Sequence, residues 1–414
     1  MPILSFQKAL AFIFCLCAYL ASGQVAHKVK PIKCQVNPED FACYVAPPLA
    51  FINQEMDIRS DFIFSFDAEV PTAAREAMEY AASIWASRLT SLVPIEIAVS
   101  WQTFEEESVL ASAGPTSIYR DFLGAAKRNT WYPVALAEAI AGTNFNDNEA
   151  DIQITANSEQ NWYYGLDGRV PRGQIDMVSV ILHELGHGLG FLSSANVNDD
   201  DLGELGFGTQ FIIFDTFIET NTGNRITDRS QFSNPSTTLR SAYTSNALFF
   251  SDDFVASFNS SNDPKLHAPR IFDQGSSISH LDEIAFNSGS ESALMSPRLS
   301  FQEAIHDPGP VGLAIMEAIG WEVFSGTVTN TQELVTETLE VFPNPASTTL
   351  QIKWPTDLAT QVNYQLINPL GQTLQSGTVF RQEALDVSQL TAGTYFLQLR
   401  SGERTFISQV VVVD

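Results

Sequence analysis

Two histidines lie four residues apart in the segment His183-Glu184-Leu185-Gly186-His187. If this segment is helical, four residues rotate by about 400°, so both imidazoles leave the same face one turn apart. Two imidazoles in this arrangement are typical ligands of a tetrahedral Zn²⁺ ion. Glu184 lies between them, where its carboxylate can take a proton from a metal-bound water. The segment therefore predicts hydrolytic chemistry at zinc, with Glu184 as the general base.

The neighbouring residues predict the helix that this chemistry needs. Asp176 can cap its start, and Gly190 can take the left-handed conformation that ends a helix. Gly186 and Gly188 each cost about 1 kcal/mol relative to alanine inside a helix, so we expect other parts of the chain to pack closely against both. An apolar stripe predicts that one face is buried; it consists of Val178, Ile181, Leu182, Leu185 and Leu189.

Two histidines do not complete a catalytic zinc site, which needs a third protein ligand beside the water. In many enzymes with two histidines at this spacing, the third histidine follows six residues after the second. Ser193 occupies that position here. The third ligand must therefore come from elsewhere in the chain. The other histidines outside the predicted signal segment are His27, His267, His280 and His306.

The N-terminus predicts export. Lys8 precedes an apolar run of 13 residues, Ala9 to Ala21, which is too short to span a bilayer as a helix. The small residues of Ala21-Ser22-Gly23 are suited to cleavage before Gln24. We therefore expect residues 1–23 to be a signal peptide. No later run is apolar enough for a membrane helix.

Cys34 and Cys43 are the cysteines that remain after this signal is removed. In an exported protein, one remaining pair most simply forms a disulfide. The Pro-rich residues 24–57 are accordingly predicted to be an irregular N-terminal extension that this disulfide closes. In the alternative, Cys34 is a thiolate that blocks the metal in a zymogen.

The following region predicts an α/β (α+β) domain over residues 58–323. Strand patterns occur at residues 62–66, 94–101 and 150–155. An amphipathic helix, whose apolar residues recur between Ala74 and Leu89, lies between the first strand and the second. The metal helix follows the third strand. The order of these elements places the predicted zinc chemistry on a mixed sheet and helix framework.

The rest of the chain divides further. Residues 192–278 predict a strand-rich and turn-rich insertion, and a helix is expected from Val311 to Ile319. A Thr-, Ser- and Gly-rich linker is predicted over residues 324–335. Residues 336–414 contain short β-prone runs separated by turns, which is typical of a small all-β sandwich.

The charge balance restricts the partners. The chain has a formal charge of −26 at pH 7, which disfavours nucleic acid and anionic lipid surfaces. Two oxygen-rich loops, residues 144–149 and 196–201, make Ca²⁺ a second candidate cation. Solvated acidic loops are the alternative.

A set of separated motifs carries a family resemblance. Ser179 to Phe191, the late His280, the Leu-Met-Ser-Pro run of residues 294–297 and Gly320-Trp321 together resemble the metzincin zinc metalloproteases, most closely the leishmanolysin-type members. The resemblance covers residues 58–323 and implies a zincin fold whose insertion separates the second and third histidines.

The resemblance also implies roles. It makes His183, His187 and His280 the zinc ligands and Glu184 the general base, and it makes Met295 the residue of a tight turn that packs beneath the metal. No tyrosine follows Met295, so a tyrosine that stabilises the oxyanion is not identified. Alternatives for the third ligand stay open: His267, His306 or a downstream carboxylate, with Glu204 and Glu219 as the candidates for a zincin with a glutamate ligand.

The strand predicted from Asp151 to Thr155 also fits this family. Its expected role is to offer an open edge to which an extended peptide adds antiparallel. An ordinary internal strand of the sheet is the alternative.

The C-terminal residues resemble the Por secretion-system sorting domain. The resemblance depends on Val341–Ala346, Asn368–Gln372 and Leu390–Tyr395. It implies recognition by the type IX secretion machinery, transport across the outer membrane, and an extracellular or cell-surface location.

Taken together, the sequence predicts a secreted zinc endopeptidase that acts on protein or peptide substrates. The alternative outside enzymology is a catalytically silent binding or adhesion protein on a zincin fold. Glu184 beside both histidines argues against that alternative, because a binding module does not need a general base.

Overall fold

The computed structural model describes residues 24–26, 29–54, 56–147, 149–324, 339, 341–354, 361–367, 373–381, 383–401 and 404–413. The predicted signal peptide and nearly all of the predicted linker lie outside these residues. The chain divides into two compact units, one ending at residue 326 and the other starting at residue 327.

The described helices all belong to the first unit: α1 (Leu49–Ile52), α2 (Thr72–Ala86), α3 (Val134–Ala141), α4 (Met177–Leu189), α5 (Thr237–Tyr243), α6 (Asp253–Ser257) and α7 (Gly309–Ile319). Its described strands are β1 (Gln24–Ala26), β2 (Ile32–Val45), β3 (Phe62–Phe66), β4 (Leu89–Thr90), β5 (Ile95–Gln102), β6 (Val109–Pro115), β7 (Ile118–Arg120), β8 (Thr130–Pro133), β9 (Ile152–Asn157), β10 (Trp162–Tyr163), β11 (Ile175–Asp176), β12 (Asn196–Val197), β13 (Gly203–Glu204), β14 (Phe211–Ile212), β15 (Ile218–Thr220), β16 (Leu248–Phe250), β17 (Arg298–Ile305) and β18 (Glu322–Val323).

A six-stranded sheet with the order β17-β2-β6-β9-β5-β3 is the framework of this unit. Strands β3, β5 and β9 are parallel, and β6 runs antiparallel to β9. Helices α2 and α4 pack together, and the indole of Trp85 on α2 donates to the carbonyl of Leu182 on α4 at 2.8 Å. The unit is therefore of the mixed α/β class.

The prediction of an open edge on the third strand is wrong. Strand β9 lies between β6 and β5, so both of its edges are paired. Strand β6 pairs with β9 on one edge and with β2 on the other. The sequence pattern of a strand reports burial of its faces but does not report its position in the sheet.

The sequence suggested an irregular N-terminal extension, but the structure shows a regular strand in it. Residues 32–45 form the 14-residue strand β2, antiparallel to β6 and parallel to β17. Its burial does not alternate regularly along its length, so its sequence shows no clear period of two. Both neighbours come from distant parts of the chain, which local sequence patterns do not reveal.

The predicted disulfide is also wrong, since both cysteines are free thiols. Gln35, next to Cys34, pairs with Arg298, and Cys43 pairs with Glu303. Five residues of strand span about 16 Å, whereas a disulfide requires Cα atoms within about 7 Å. The extended conformation of β2 therefore holds the two thiols apart.

The insertion contains less strand than predicted. The run Phe211–Phe214 forms only the two-residue strand β14 before a 3₁₀ helix at Phe214–Phe217. Its other strands have two or three residues, and α5 and α6 complete it. Turns dominate because the short apolar runs pack their side chains into the core without extended pairing.

The second unit contains only strands among its described elements. They are β19 (Val341–Phe342), β20 (Thr349–Ile352), β21 (Gln361–Ile367), β22 (Thr373–Phe380), β23 (Ala384–Asp386), β24 (Gly393–Ser401) and β25 (Arg404–Val412). They form a three-stranded sheet, β19-β20-β23, and a four-stranded sheet, β22-β21-β24-β25. Within the part of the chain that the structure describes, no helix is long and apolar enough to cross a membrane.

The glycines of α4 are explained by close packing. A Cβ atom at Gly186 would lie 2.8 Å from Sδ of Met295, the end of a flexible side chain. A Cβ atom at Gly188 would lie 2.4 to 2.8 Å from three side-chain atoms of Ile152 on β9. The expected close approach to both glycines is therefore present, and Gly188 is the tighter position.

We expect Gly188→Ala to lower the free energy of unfolding by about 1–3 kcal/mol, because overpacking outweighs the gain in helix propensity. Gly312 on α7 is a matched control, since a Cβ atom there meets nothing within 4 Å. Gly312→Ala should raise stability by up to about 1 kcal/mol. Urea unfolding of both variants measures the difference, and equal stabilisation by the two substitutions would contradict the packing argument.

Candidate metal and catalytic site

Helix α4 is buried along all of its 13 residues. The Asp176 side chain accepts the N–H of Ser179 at 2.8 Å and so caps the helix start, as the sequence predicts. Gly190 ends the helix with a φ of 125°. A second contact fixes the cap, because Nε2 of buried His306 lies 2.7 Å from Oδ2 of Asp176.

His183, His187 and His280 come together in a buried group that we call the three-histidine cluster. The Nε2 atom of His187 lies 3.0 Å from that of His183 and 3.1 Å from that of His280. The remaining Nε2 pair is 3.2 Å apart. Three ring nitrogens from two distant chain segments therefore face one point.

The opposite ring nitrogen of each histidine contacts a backbone carbonyl. Nδ1 lies 2.6 Å from the Leu294 oxygen in His183, 2.7 Å from the Phe191 oxygen in His187, and 2.7 Å from the Ser276 oxygen in His280. A carbonyl only accepts, so each Nδ1 carries the hydrogen. Each Nε2 then presents a lone pair to the centre of the cluster, as metal-binding histidines do.

Burial keeps these imidazoles neutral. It lowers the pKa of His183 to about 4, and it lowers the pKa values of His187 and His280 well below the ordinary value, with a further decrease from the neighbouring histidines. Three lone pairs so close together repel one another unless a cation lies between them. Nitrogens of tetrahedral zinc lie about 3.3–3.4 Å apart, so the cluster fits a zinc ion closely.

Glu184 lies beside the cluster in an unusual environment. Its side chain is fully buried, and neither carboxylate oxygen has a hydrogen-bond partner among the described residues. Burial raises the pKa of the carboxyl well above its ordinary value, and the nearby N–H of Cys34, outside hydrogen-bonding geometry, offsets a smaller part. Leaving a buried polar group unpaired costs about 1–3 kcal/mol and more for a charged group.

Cys34 closes the other side of the site. Its Sγ, a carboxylate oxygen of Glu184 and a ring nitrogen of His183 all lie within 4.8 Å of one another. Burial, followed by the charge of Glu184, raises the pKa of the Cys34 thiol well above its ordinary value. The group is thus a neutral thiol here, beside His183 and Glu184. The zymogen alternative, in which Cys34 is a thiolate that blocks the metal, stays a prediction.

The alternative third ligands lie outside the cluster. His306 contacts Asp176, and Glu204 accepts the side-chain amides of Asn196 and Asn198. Glu219 forms an ion pair with Arg225. His267 contributes its backbone, donating its N–H to the carbonyl of His280 at 2.8 Å.

Met295 lies in a tight turn next to the cluster. The turn is closed by the N–H of Ser296, which donates to the carbonyl of Ala293 at 2.9 Å. The Met295 carbonyl accepts the N–H of Leu281, the residue after the third histidine. Met295 therefore packs against α4 and connects the turn to the segment of His280.

Asp215 supports the site in a way that the sequence did not reveal. This buried carboxylate accepts the Ser193 hydroxyl at 2.6 Å and the hydroxyl and N–H of Ser194. The N–H of Ser193 in turn donates to the hydroxyl of Ser279 at 3.0 Å, beside His280. Asp215 thus joins the end of α4 to the third histidine. A lone aspartate inside an insertion carries no local signal of such a role.

Within the described part of the chain, neither oxygen-rich loop belongs to a group of three His, Cys, Asp or Glu side chains close enough to share an ion. In the first loop, the Asn146 amide donates to Asp151, and in the second, Asp201 pairs with Arg240. Among the described residues, the groups of His, Cys, Asp or Glu side chains close enough to share an ion are the three-histidine cluster and the group with Cys34. Calcium binding stays a prediction.

Comparison with known families identifies the C-terminal unit. Residues 340–413 match a family model described as a secretion system C-terminal sorting domain. The sorting domain predicted from sequence is confirmed, although its Asn368–Gln372 motif lies outside the described residues. The chain therefore interacts with the type IX secretion machinery and is exported to the cell surface or the extracellular space.

The first unit gives a less informative match. Residues 57–205 match a family model described as SPBPB7E8-like, a range that contains α4 but not His280. A search of the curated proteins found no match.

Removal of the third histidine is expected to weaken metal binding. We expect His280→Ala to bind zinc at least about tenfold more weakly than the wild type, because one of the three bonds between zinc and a histidine is lost. Glu204→Ala and His267→Ala are matched controls outside the cluster. Zinc content after competition with a graded chelator series measures the effect. Loss in Glu204→Ala with retention in His280→Ala would instead support a glutamate ligand.

Asp215 should make stability depend on pH. Burial raises its pKa to about 6 from the ordinary 3.8, so the folded protein holds this proton more tightly than the unfolded chain. The resulting stability is fully present below pH 3.8 and is lost as the pH rises through about 6. Asp215→Asn has no such proton, so its stability should fall less between pH 4 and pH 7.

Thermal unfolding of the zinc-free proteins at four pH values across this range tests the prediction. Asp228→Asn is the control, since Asp228 is an exposed carboxyl whose pKa is lowered by Ser230. Parallel pH curves for wild type and Asp215→Asn would show that Asp215 does not titrate as described.

Proposed function

We propose that the chain is an exported zinc-dependent endopeptidase with a metzincin-like catalytic domain. In this proposal, His183, His187 and His280 hold the zinc and Glu184 is the general base. The observation that carries it is the combination of three converging Nε2 atoms with a buried carboxylate that has no hydrogen-bond partner.

The chemistry follows from these groups. Zinc, when bound, supplies a Lewis acid that polarises a peptide carbonyl and makes water more acidic. A carboxylate oxygen of Glu184 takes a proton from the attacking water and passes it to the leaving amine. The raised pKa of Glu184 suits a group that must both accept and release a proton. The Nδ1 hydrogen bonds hold the three imidazoles in their tautomers throughout.

The unpaired carboxylate also weighs against a silent binding protein. A chain that only binds a metal or a partner gains nothing from a buried carboxylate without partners, which destabilises the fold. In a hydrolase the same group is used at each turnover. The geometry therefore favours the enzyme over the binding or adhesion protein.

Replacing the base should separate metal binding from turnover. We expect Glu184→Gln to keep zinc and to lose about 10²–10⁴-fold in peptide cleavage, because general-base catalysis contributes that much. Glu138→Gln is a matched control, since Glu138 is also a buried carboxyl with a raised pKa but lies outside the site.

The assay is cleavage of an unbiased peptide mixture by the zinc-loaded chain, before and after limited proteolysis of its N-terminal residues, with a chelator arm. Cleavage that is lost in Glu184→Gln and with chelator, and kept in Glu138→Gln, supports the proposal. Undiminished cleavage by Glu184→Gln would remove Glu184 from the reaction.

A further inference from the structure

A cavity of about 240 Å³ lies beside the three-histidine cluster. We call it the Glu204 cavity, and its walls belong to four segments, within residues 29–32, 193–196, 204–207 and 274–279. Two wall residues, Ser193 and Ser279, are joined by a hydrogen bond of 3.0 Å from the N–H of Ser193 to the Ser279 hydroxyl. Ser279 directly precedes His280. A substrate side chain in this cavity therefore belongs to a residue close to the bond that lies at the metal.

One wall of the Glu204 cavity carries a negative charge. The carboxylate of Glu204 accepts the side-chain amides of Asn196 at 3.2 Å and of Asn198 at 2.8 Å, and these amides hold it in place. Among the residues that the structure describes, no cationic side chain forms an ion pair with Glu204. A carboxylate has about four acceptor positions, so Glu204 can accept a further donor.

The surroundings of this wall favour a positive charge. Oδ1 of Asn196 accepts Nζ of the exposed Lys30 at 3.3 Å, so one ammonium group already contacts the amide that donates to Glu204. Asp199 and Asp200 are exposed on the same loop. The whole chain has a formal charge of −26, which attracts cationic peptides before they bind.

Other walls of the cavity are apolar, and they include Ile32, Ala195 and Phe207. Lysine and arginine side chains bury a methylene stem against apolar surface and place their charge on a carboxylate. An aliphatic side chain would cover Glu204 without giving it a donor, and an acidic side chain would meet it with like charge. The chemistry of the cavity therefore selects basic side chains.

We propose that the Glu204 cavity binds a lysine or arginine side chain of the substrate, so that the chain cleaves basic peptides close to that residue. Glu204 then determines specificity and does not touch the reacting atoms. This inference rests on the proposed function, because it names the class of peptide that the same site cleaves. The zinc ligands and Glu184 leave that class open.

The first experiment measures kcat/KM with short peptides that differ in one residue, which is Arg, Lys, Gln, Leu or Glu at each position in turn. The enzyme is the zinc-loaded chain, before and after limited proteolysis of its N-terminal residues. At one position, Arg and Lys should exceed Leu and Glu at least about tenfold, because charge-assisted hydrogen bonds are the strong ones. The absence of a basic preference at every position would overturn the proposal.

Glu204→Gln should remove this preference and leave kcat/KM for the Leu peptide nearly unchanged. The ratio of Arg to Leu is measured in one preparation, so a misfolded fraction cancels from it. Asp200→Asn is the matched control, because it removes the same charge from the same loop without lining the cavity. An equal loss of preference in both variants would assign the effect to the general charge of the loop and overturn the proposal.

A charge reversal gives a gain of function that misfolding cannot imitate. Glu204→Lys should prefer the Glu peptide over the Arg peptide, since the cavity then presents a cation. Asn196 and Asn198 can rotate their amides and turn their oxygens to the new ammonium group. Retention of the basic preference in Glu204→Lys would show that another residue recognises the substrate.

The size of the cavity provides a separate test. Ala195→Leu narrows the cavity from an apolar wall and should raise KM for the Arg and Lys peptides at least about tenfold, with kcat nearly unchanged. Peptides with Ala at the selected position should be cleaved as by the wild type. An equal loss for the Ala and Arg peptides would contradict a side-chain pocket.

Calcium is a competing occupant, because Glu204 and both asparagines belong to an oxygen-rich region. The cleavage assay is therefore repeated with added Ca²⁺, and the basic preference should not change. Loss of the preference on calcium addition would assign Glu204 to a calcium site instead.

A binding readout separates this proposal from the proposed function. Fluorescent peptides with Arg or Gln at each position are titrated into the zinc-loaded Glu184→Gln chain, with and without Glu204→Gln. At one position the Arg peptide should bind at least about tenfold more tightly, and only when Glu204 is present. Such binding without hydrolysis by the wild type would support the cavity and refute the endopeptidase. Hydrolysis without a basic preference would support the endopeptidase and refute the cavity.

Discussion

Three hydrogen bonds from imidazole Nδ1 groups to backbone carbonyls determine the site. Because each carbonyl takes the hydrogen of its histidine, the three Nε2 lone pairs point to the same place. Main-chain acceptors cannot change charge and move little, so the tautomers are fixed before any metal arrives. The geometry of the site therefore depends on where the backbone places three oxygen atoms.

Each of these oxygens lies where the chain turns. Phe191 follows Gly190, whose φ of 125° ends α4. Leu294 lies in the Met295 turn, and Ser276 lies in the turn before His280. The end of α4 and the two turns are thus parts of one arrangement. Asp215 connects the end of α4 to the turn before His280 through serine hydroxyls. The close packing at Gly186 and Gly188 determines how near α4 lies to Met295 and Ile152.

Much of the helix and of the histidine set could be predicted from the sequence. The Asp176 cap, the apolar stripe and Gly190 are local features, and each predicts one property of the helix: its start, its buried face and its end. His280 could be selected only through a family pattern, because spatial proximity across 93 residues leaves no periodic signal. The carbonyl acceptors could not be found at all, since every residue type carries one.

The errors have a common cause. The open edge assigned to residues 151–155, the disulfide between Cys34 and Cys43, and the irregular extension all concerned pairings between distant segments. Local patterning gives the tendency to form a strand but not its neighbours. Once β2 is placed between β6 and β17, the separation of the two cysteines follows. The internal position of β9 follows from its pairing with β6 and β5.

The position of β2 also has a consequence for folding. Cys43 and Glu303, side by side in the sheet, are 260 residues apart in the chain, and contacts of such long range form slowly. Within this six-stranded sheet, the first strand in the chain, β2, must therefore wait for the last, β17, before the sheet closes. A domain that had lost this strand could not repeat the assembly, so its lifetime would be set by its unfolding rate rather than by its equilibrium stability.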